Sequence, residues 1–120
     1  MEEQSILLDI KQKLLITLKK WEHNTDWFYF KEVTAHFMKP DTFSVWFGIR
    51  IKDQNFITMI DFHFLRGFRE ESKLPAVQNT AFESKKFVSE ELGKIMNDVN
   101  RETAIDRFLY KKYLEKNLKR

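Results

Sequence analysis

The clearest pattern of apolar and polar positions lies between residues 43 and 64, where hydrophobic side chains recur at every second position. The alternation runs to Ile51, stops at a polar segment at 52–55, and resumes at Phe56. A period of two is typical of a strand with one buried face, and two such runs separated by a short break containing Asp and Asn indicate a β-hairpin. The rest of the chain is predicted to cover one face of this hairpin.

A further strand is predicted before the hairpin, at residues 27–38, although its pattern is less regular. Val33, Ala35 and Phe37 alternate with polar residues, whereas positions 27–30 are all apolar. Pro40 and the aspartate after it suit a turn, because proline presets its own φ angle and aspartate is favoured in turns. These residues predict a three-stranded antiparallel β-meander.

Helical periodicity appears on both sides of the strands. Residues 2–21 carry apolar side chains at three- and four-residue spacing, which predicts an amphipathic N-terminal helix. The segment 65–79 is irregular, with room for one helical turn near 69–74. Thr80 and Glu83 have the spacing of a capping box and predict the start of a second helix.

Polar residues at 97–100 predict a break between this second helix and a last one at about 101–118. The predicted fold class is therefore α+β, with an N-terminal helix, a three-stranded antiparallel β-meander and two C-terminal helices packed on one sheet face. No composition shift or flexible linker divides the 120 residues, so we expect a single domain.

The parity of residue numbers assigns side chains to the two sheet faces. A symmetric loop at 52–55 would place Phe47 opposite Ile60, and a three-residue loop at 39–41 would place Phe37 opposite Phe43. One face is then continuously apolar and requires the helices as cover. The other face gathers the candidate binding residues, which are Glu32, His36, Trp46, Arg50, Asp61 and His63.

Several chemistries are possible on this polar face. It is a solvated or partner-covered surface in the simplest interpretation, and its apolar members favour contact with a partner. Glu32, His36, Asp61 and His63 have donor atoms suited to a metal, but no pair has helical ligand spacing, and we predict no metal. With Trp46 opposite Asp61, nearby carboxylates would raise the pKa values of the two histidines.

Composition narrows the function classes. The chain has 12 Phe, 3 Trp and 3 Tyr but no cysteine, which excludes disulfides, thiolate nucleophiles and cysteine-based zinc sites. The N-terminal segment has neither the basic start of a signal peptide nor a long apolar run, so we predict a cytoplasmic protein without a membrane partner. The three glycines are scattered, and no phosphate-binding loop or cofactor motif is present.

The net charge of +3 permits weak attraction to phosphate. The candidates for nucleic-acid contact are basic residues of the last helix and of the 65–79 segment, interleaved with tyrosines. They are Arg66, Arg69, Lys111, Lys112 and Lys116, with Lys119 and Arg120 at the end of the chain. A solvated helix face explains the same lysines, because cations are favoured near a helix C-terminus.

The leading interpretation is a small non-catalytic binding or regulatory module that acts by protein–protein interaction. The last helix is apolar on more than one side, which predicts self-association through Tyr110, Tyr113, Leu114 and Leu118, or through the patch around Trp46. The alternative is a nucleic-acid-binding accessory protein that uses the basic C-terminal helix and the 65–79 loop. A metal-dependent enzyme that uses the polar sheet face is third.

Overall fold

The computed structural model describes residues 2–118 of the chain. Within these residues the helices are α1 (Glu2–Asn24), α2 (Leu74–Gln78) and α3 (Lys85–Leu118), and 3-10 turns lie at Glu70–Lys73 and Phe82–Ser84. The strands are β1 (Phe28–Ala35), β2 (Thr42–Ile51), β3 (Gln54–His63) and β4 (Gly67–Phe68). They form one antiparallel sheet in the order β1-β2-β3-β4.

The predicted fold class is confirmed, because an N-terminal helix and C-terminal helices pack on an antiparallel sheet. The sheet has four strands rather than three, since Gly67 and Phe68 pair with the end of β3. Gly67 has a φ of +71°, a conformation that other residues rarely adopt, and this glycine allows the chain to turn back so soon after β3.

The β2–β3 hairpin is tighter than predicted. Its loop is Lys52-Asp53, so Val45 rather than Phe47 lies opposite Ile60, and Trp46 lies opposite Met59 rather than Asp61. Lys52 has a φ of +55°, the left-handed conformation that two-residue hairpin turns need at their first position. Because the register differs by two residues, every side chain of this hairpin keeps its predicted face.

Strand β1 differs more from the prediction, because a bulge interrupts its pairing with β2 between Phe30 and Glu32. The extra residue, Lys31, reverses the alternation, so Phe28 joins the core while Tyr29 points to the other face. The strand also ends at Ala35, and Phe37, which was predicted to be buried, is 90% exposed.

Helix α3 is continuous over 34 residues, and the predicted break at 97–100 is absent. The polar residues there bond to other elements instead of ending the helix. The Asp98 carboxylate accepts hydrogen bonds from Lys20 Nζ (2.9 Å), Trp21 Nε1 (2.7 Å) and Arg101. Asn100 bonds to both backbone groups of Phe68 in β4.

The predicted capping box at the start of this helix is also absent. The Thr80 hydroxyl donates to the Val77 carbonyl at 2.7 Å, and Glu83 pairs with Lys52 at 3.3 Å. A 3-10 turn at Phe82–Ser84 comes first, so the helix begins at Lys85. The helical turn expected in the 65–79 segment is present as the turn at Glu70–Lys73 and helix α2.

Helices α1 and α3 run antiparallel and cover one face of the sheet. Two ion pairs mark their alignment, Lys13 with Asp106 at 2.5 Å and Lys20 with Asp98. The core between helices and sheet contains Ile10, Leu14, Leu18, Val45, Phe47, Ile49, Ile60, Phe62, Val88, Leu92, Ile95 and Val99. None of the helices in the described part of the chain has the length and apolar character needed to cross a membrane.

Candidate functional site

The sheet face opposite the helices carries a band of apolar side chains that is open to solvent. Trp46 is 37% exposed and Ile57 is 57% exposed, and Tyr29 and Met59 are half-buried beside them. The strand register brings them together in two neighbouring rows, each made of residues paired side by side across three strands. One row is Tyr29, Gly48 and Ile57, and the other is Glu32, Trp46 and Met59. We call Tyr29, Trp46, Ile57 and Met59 the outer apolar band.

One end of the band is built around a glycine. The ring of Tyr29 lies directly over Gly48, at a position that any Cβ would overlap. The guanidinium carbon of Arg50 lies 4.2 Å from the centroid of the Tyr29 ring, in a cation–π contact. Arg50, a predicted site residue, is thus held against an aromatic ring at this end.

The other end of the band holds a polar group of three residues, of which Lys39 and Asp61 form an ion pair. The Asp61 carboxylate accepts a hydrogen bond from Lys39 Nζ at 3.0 Å, and its second oxygen lies 3.9 Å from His36 Nε2. The backbone N–H groups of Met38 and Lys39 both donate to His36 Nδ1 at 3.1 Å, which fixes the orientation of the imidazole. Of the predicted site residues, the structure therefore brings His36 and Asp61 together.

Arg50 is remote from that group, because six residues of extended strand separate it from the row that contains Asp61, about 20 Å along β2. Glu32 lies between the two ends, in the row of Trp46. The predicted constellation is therefore spread along the sheet. It forms a linear surface with an arginine at one end and the His36–Lys39–Asp61 group at the other.

His63 belongs to a different environment from His36. Its Nδ1 accepts a hydrogen bond from the backbone N–H of Leu65 at 3.1 Å. Burial, together with the charges of Arg66 and Arg69, lowers the pKa of His63 below 6.5, although Asp41 opposes the shift. The hypothesis that carboxylates raise the pKa of this histidine is therefore wrong.

The donor atoms needed for a metal do not converge. Among residues 2–118, no three His, Asp or Glu side chains lie close enough together to hold a metal ion. His36 and Asp61 are a pair, while Glu32 and His63 occupy other rows of the sheet. The polar face thus lacks the ligand set on which the metal-dependent enzyme hypothesis depends.

The basic residues predicted to contact nucleic acid divide into separate groups. Arg66 lies between β3 and β4 and Arg69 follows β4. The charges of both lower the pKa of His63, although Arg69 also pairs with Glu71 at 3.1 Å. Lys112 lies over the ring of Phe108, 5.4 Å from its centroid. Lys111 and Lys116 are exposed on α3, and Lys119 and Arg120 lie outside the described residues.

The exposed apolar side of helix α3 is not the predicted one. Tyr110 is 3% exposed and packs against Phe64, and Tyr113 and Leu114 are partly buried against the core. Leu118 is exposed, as expected. Between these residues and Asp98, three further large apolar side chains of α3 face solvent and form one stripe, which consists of Ile105, Phe108 and Leu109, at 71%, 56% and 47% exposure. We call these three residues the α3 stripe.

The sequence indicates that α3 is apolar on more than one side but not which side faces solvent, because the buried side is partly polar. Thr103 is fully buried, and its hydroxyl donates to the Val99 carbonyl and accepts from Arg107 Nε. Asp106 is buried in its ion pair with Lys13. Spacing was the signal that could have found the stripe, since its members recur at i, i+3 and i+4 and lie on one side.

A cleft of about 470 Å³ lies between β4, the turn at Glu70–Lys73 and α3, away from the outer apolar band. The Lys73 ammonium lies in this cleft, where it pairs with Glu70 of the same turn at 2.8 Å and faces Gly93 of α3. Two opposite charges therefore neutralise each other at this cleft.

Comparisons of this chain with protein-family models, with curated proteins and with solved structures found no match.

Proposed function

We propose that this chain is a small non-catalytic binding module that acts by protein–protein interaction through its outer sheet face. The observation that carries the proposal is the outer apolar band. In this band Trp46 and Ile57 are both exposed and lie in neighbouring rows of the sheet. Clustered apolar side chains on an exposed surface are typical of interaction sites.

The surroundings of the band favour a protein partner. Aromatic residues and arginine are enriched in protein interfaces, and here Trp46, Tyr29 and Arg50 lie within one surface. Charged groups of both signs lie at its ends, Arg50 at one and Lys39 with Asp61 at the other. Such an arrangement would fix the direction in which a partner binds, because the Arg50 end attracts an acidic group whereas Lys39 and Asp61 at the other end already compensate each other.

The test is a comparison of three baits in an extract of the native host. The baits are the unchanged protein, Ile57→Glu, which places a charge in the band, and Phe82→Glu, an equally drastic change at a residue that is 86% exposed outside the band. Far-ultraviolet circular dichroism first establishes that all three are folded.

We expect at least one protein that the unchanged chain and Phe82→Glu retain and that Ile57→Glu loses by about tenfold or more. Chemical cross-linking then places that protein on the sheet face. If every captured protein binds Ile57→Glu as well as the unchanged chain, the outer sheet face is not the binding surface.

Nucleic-acid binding is the alternative proposal, and the observation that favours it is that Arg66 and Arg69 are exposed and that the charges of both lower the pKa of His63. Retention on DNA and RNA should then fall steeply with salt, and Arg66→Ala with Arg69→Ala should flatten that dependence. Lys94→Ala serves as the control, because Lys94 is an exposed lysine on α3, outside the segment that contains Arg66 and Arg69. Equal salt dependence of all three proteins would remove this alternative.

A further inference from the structure

We infer that the α3 stripe is a homodimer interface, in which helices α3 of two copies of this chain pack antiparallel. This surface lies on the helical layer, whereas the proposed function uses the opposite side of the molecule. The inference therefore does not depend on the outer apolar band.

The stripe is apolar surface that one chain leaves in water. Ile105, Phe108 and Leu109 occupy one side of a helix whose other side is already packed against α1 and the sheet. Ile16 of α1 is 69% exposed and lies between Lys13 and Lys20, which pair with Asp106 and Asp98. It is therefore level with the turn of α3 that precedes the stripe, on the neighbouring helix.

The charges that flank the stripe identify a second copy as the partner. Glu102 lies three residues before Ile105, and Lys112 lies three residues after Leu109. In an antiparallel pair with Ile105 opposite Leu109 of the second copy, Glu102 also faces Lys112 of the second copy. Two-fold symmetry repeats this ion pair, so one surface complements itself twice.

The same charges oppose other arrangements. A parallel pair would place Glu102 against Glu102 and Lys112 against Lys112. A shift of one residue, with Ile105 opposite Phe108, would place Glu102 against Lys111 but also Arg101 against Lys112. Like charges facing each other disfavour an interface, so the pattern selects the antiparallel direction and favours the register with Ile105 opposite Leu109.

Both flanking charges have only exposed partners within the chain. Glu102 is half exposed and lies 3.8 Å from Arg101 Nε. Lys112 is 60% exposed, lies 3.8 Å from Glu115 and contacts the exposed ring of Phe108. Ion pairs this long and exposed contribute little to stability. Exchanging them for pairs across the interface therefore costs the single chain little.

Analytical ultracentrifugation of charge-reversed variants tests the inference. We expect the unchanged protein to dimerise in the micromolar range, and Glu102→Lys or Lys112→Glu alone to weaken the dimer by about tenfold or more, because each creates two repulsive pairs. The two variants mixed in equal amounts should dimerise as the unchanged protein does, since each repulsion becomes an attraction.

The mixture is decisive because Glu102 and Lys112 are ten residues apart, about 15 Å along one helix, and cannot pair within a chain. A purely structural effect of either substitution would persist in the mixture. A monomeric unchanged protein, or a mixture that associates no better than its separate components, would overturn the inference.

Two further variants and a cross-link confirm the position of the interface. Phe108→Glu should abolish the dimer, whereas Phe82→Glu should leave it unchanged; the reverse pattern would place the interface elsewhere. Because the chain has no cysteine, Glu102→Cys and Lys112→Cys can be mixed and oxidised. A mixed disulfide should dominate over either symmetric one, and a dominant Glu102→Cys homodimer would indicate parallel packing instead.

Discussion

Gly48 is a position in the sheet where even a methyl group has no room. The Tyr29 ring occupies the space above it, so an added Cβ would force the ring away and break its contact with Arg50. We expect Gly48→Ala to lower the free energy of unfolding by about 1–3 kcal/mol, because overpacking a close contact displaces its neighbours. Urea denaturation measures the change.

Gly93 provides the matched control for that substitution. A Cβ there would meet only the Lys73 ammonium at 3.6 Å, and the residue lies inside helix α3. Gly93→Ala should therefore stabilise the protein by about 0.5–1 kcal/mol through helix propensity. If both substitutions have the same sign and size, the position of the Tyr29 ring is not what constrains Gly48.

Asp98 links the stability of the helix pair to pH. Burial alone would raise the pKa of its carboxyl, but the hydrogen bonds from Lys20 and Trp21 and the charges of Lys20 and Arg101 outweigh burial and hold it below 3.8. The unfolded chain therefore takes up the proton first as the pH falls. The contribution of this carboxylate to stability is complete above about pH 5 and is lost as the pH falls through the folded-state pKa.

Comparison with Asp98→Asn isolates this effect. The free energy of unfolding of the unchanged protein should fall more steeply between pH 6 and pH 3 than that of the variant, because other carboxyl groups contribute equally to both. Urea denaturation at a series of pH values gives the two curves. Parallel curves would mean that protonation of the Asp98 carboxylate does not change the free energy of unfolding.

At the scale of elements, Asn100 joins helix α3 to the shortest strand. Its side chain accepts from the Phe68 N–H at 2.8 Å and donates to the Phe68 carbonyl at 3.0 Å, as a neighbouring strand would. We expect Asn100→Ala to destabilise the protein by about 1–3 kcal/mol, because it leaves two backbone groups without their partner.

Hydrogen exchange adds a local measurement to this prediction. The Phe68 amide should exchange faster in Asn100→Ala than in the unchanged protein. Asn97→Ala changes an exposed asparagine one turn earlier in the same helix and should leave that exchange unaltered. Equal rates in all three proteins would show that β4 is held by its pairing with β3 alone.

The sequence predicted the elements that depend on local periodicity. The alternation at 43–64 placed each side chain of the β2–β3 hairpin on its observed face, even though the loop length was wrong. It could not show the bulge at Lys31, because an extra residue in one strand is defined only by its pairing with another. The break predicted near Asn100 failed for a related reason, since its polar groups bond to residues far away in the chain.

The candidate site, too, was predictable only where it depends on the alternation of side chains along a strand. Alternation correctly placed His36 and Asp61 on one side of the sheet, and the structure brings them within 3.9 Å. Lys39 was assigned only to a turn, and its ion pair with Asp61 depends on the path of that turn. Tyr29 joined the surface only because of the bulge, so no pattern within its own strand could have indicated it.

At the scale of the whole molecule, the two faces of the sheet should contribute very differently to the free energy of unfolding. Phe47 is 2% exposed in the layer between helices and sheet, and Ile57 is 57% exposed on the outer face. Phe47→Ala should lower the free energy of unfolding by about 3–5 kcal/mol through the cavity it leaves. Ile57→Ala should change it by less than about 1 kcal/mol.

Chemical denaturation of both variants under identical conditions provides the comparison. The same slope with denaturant in each case would establish that the folded and unfolded states are otherwise unchanged. A loss at Ile57 as large as that at Phe47 would mean that the outer face is covered in the folded protein.

The antiparallel pairing of α1 with α3 has a consequence for the order of events during synthesis. Lys13 and Asp106 are 93 residues apart, and Lys20 and Asp98 are 78 apart. A chain made from its N-terminus produces helix α1 before the sheet and helix α3 after it. Ile10, Leu14 and Leu18 therefore stay without that cover until α3 has left the ribosome, so the part of the core that α1 supplies is completed only after the whole sheet has been made.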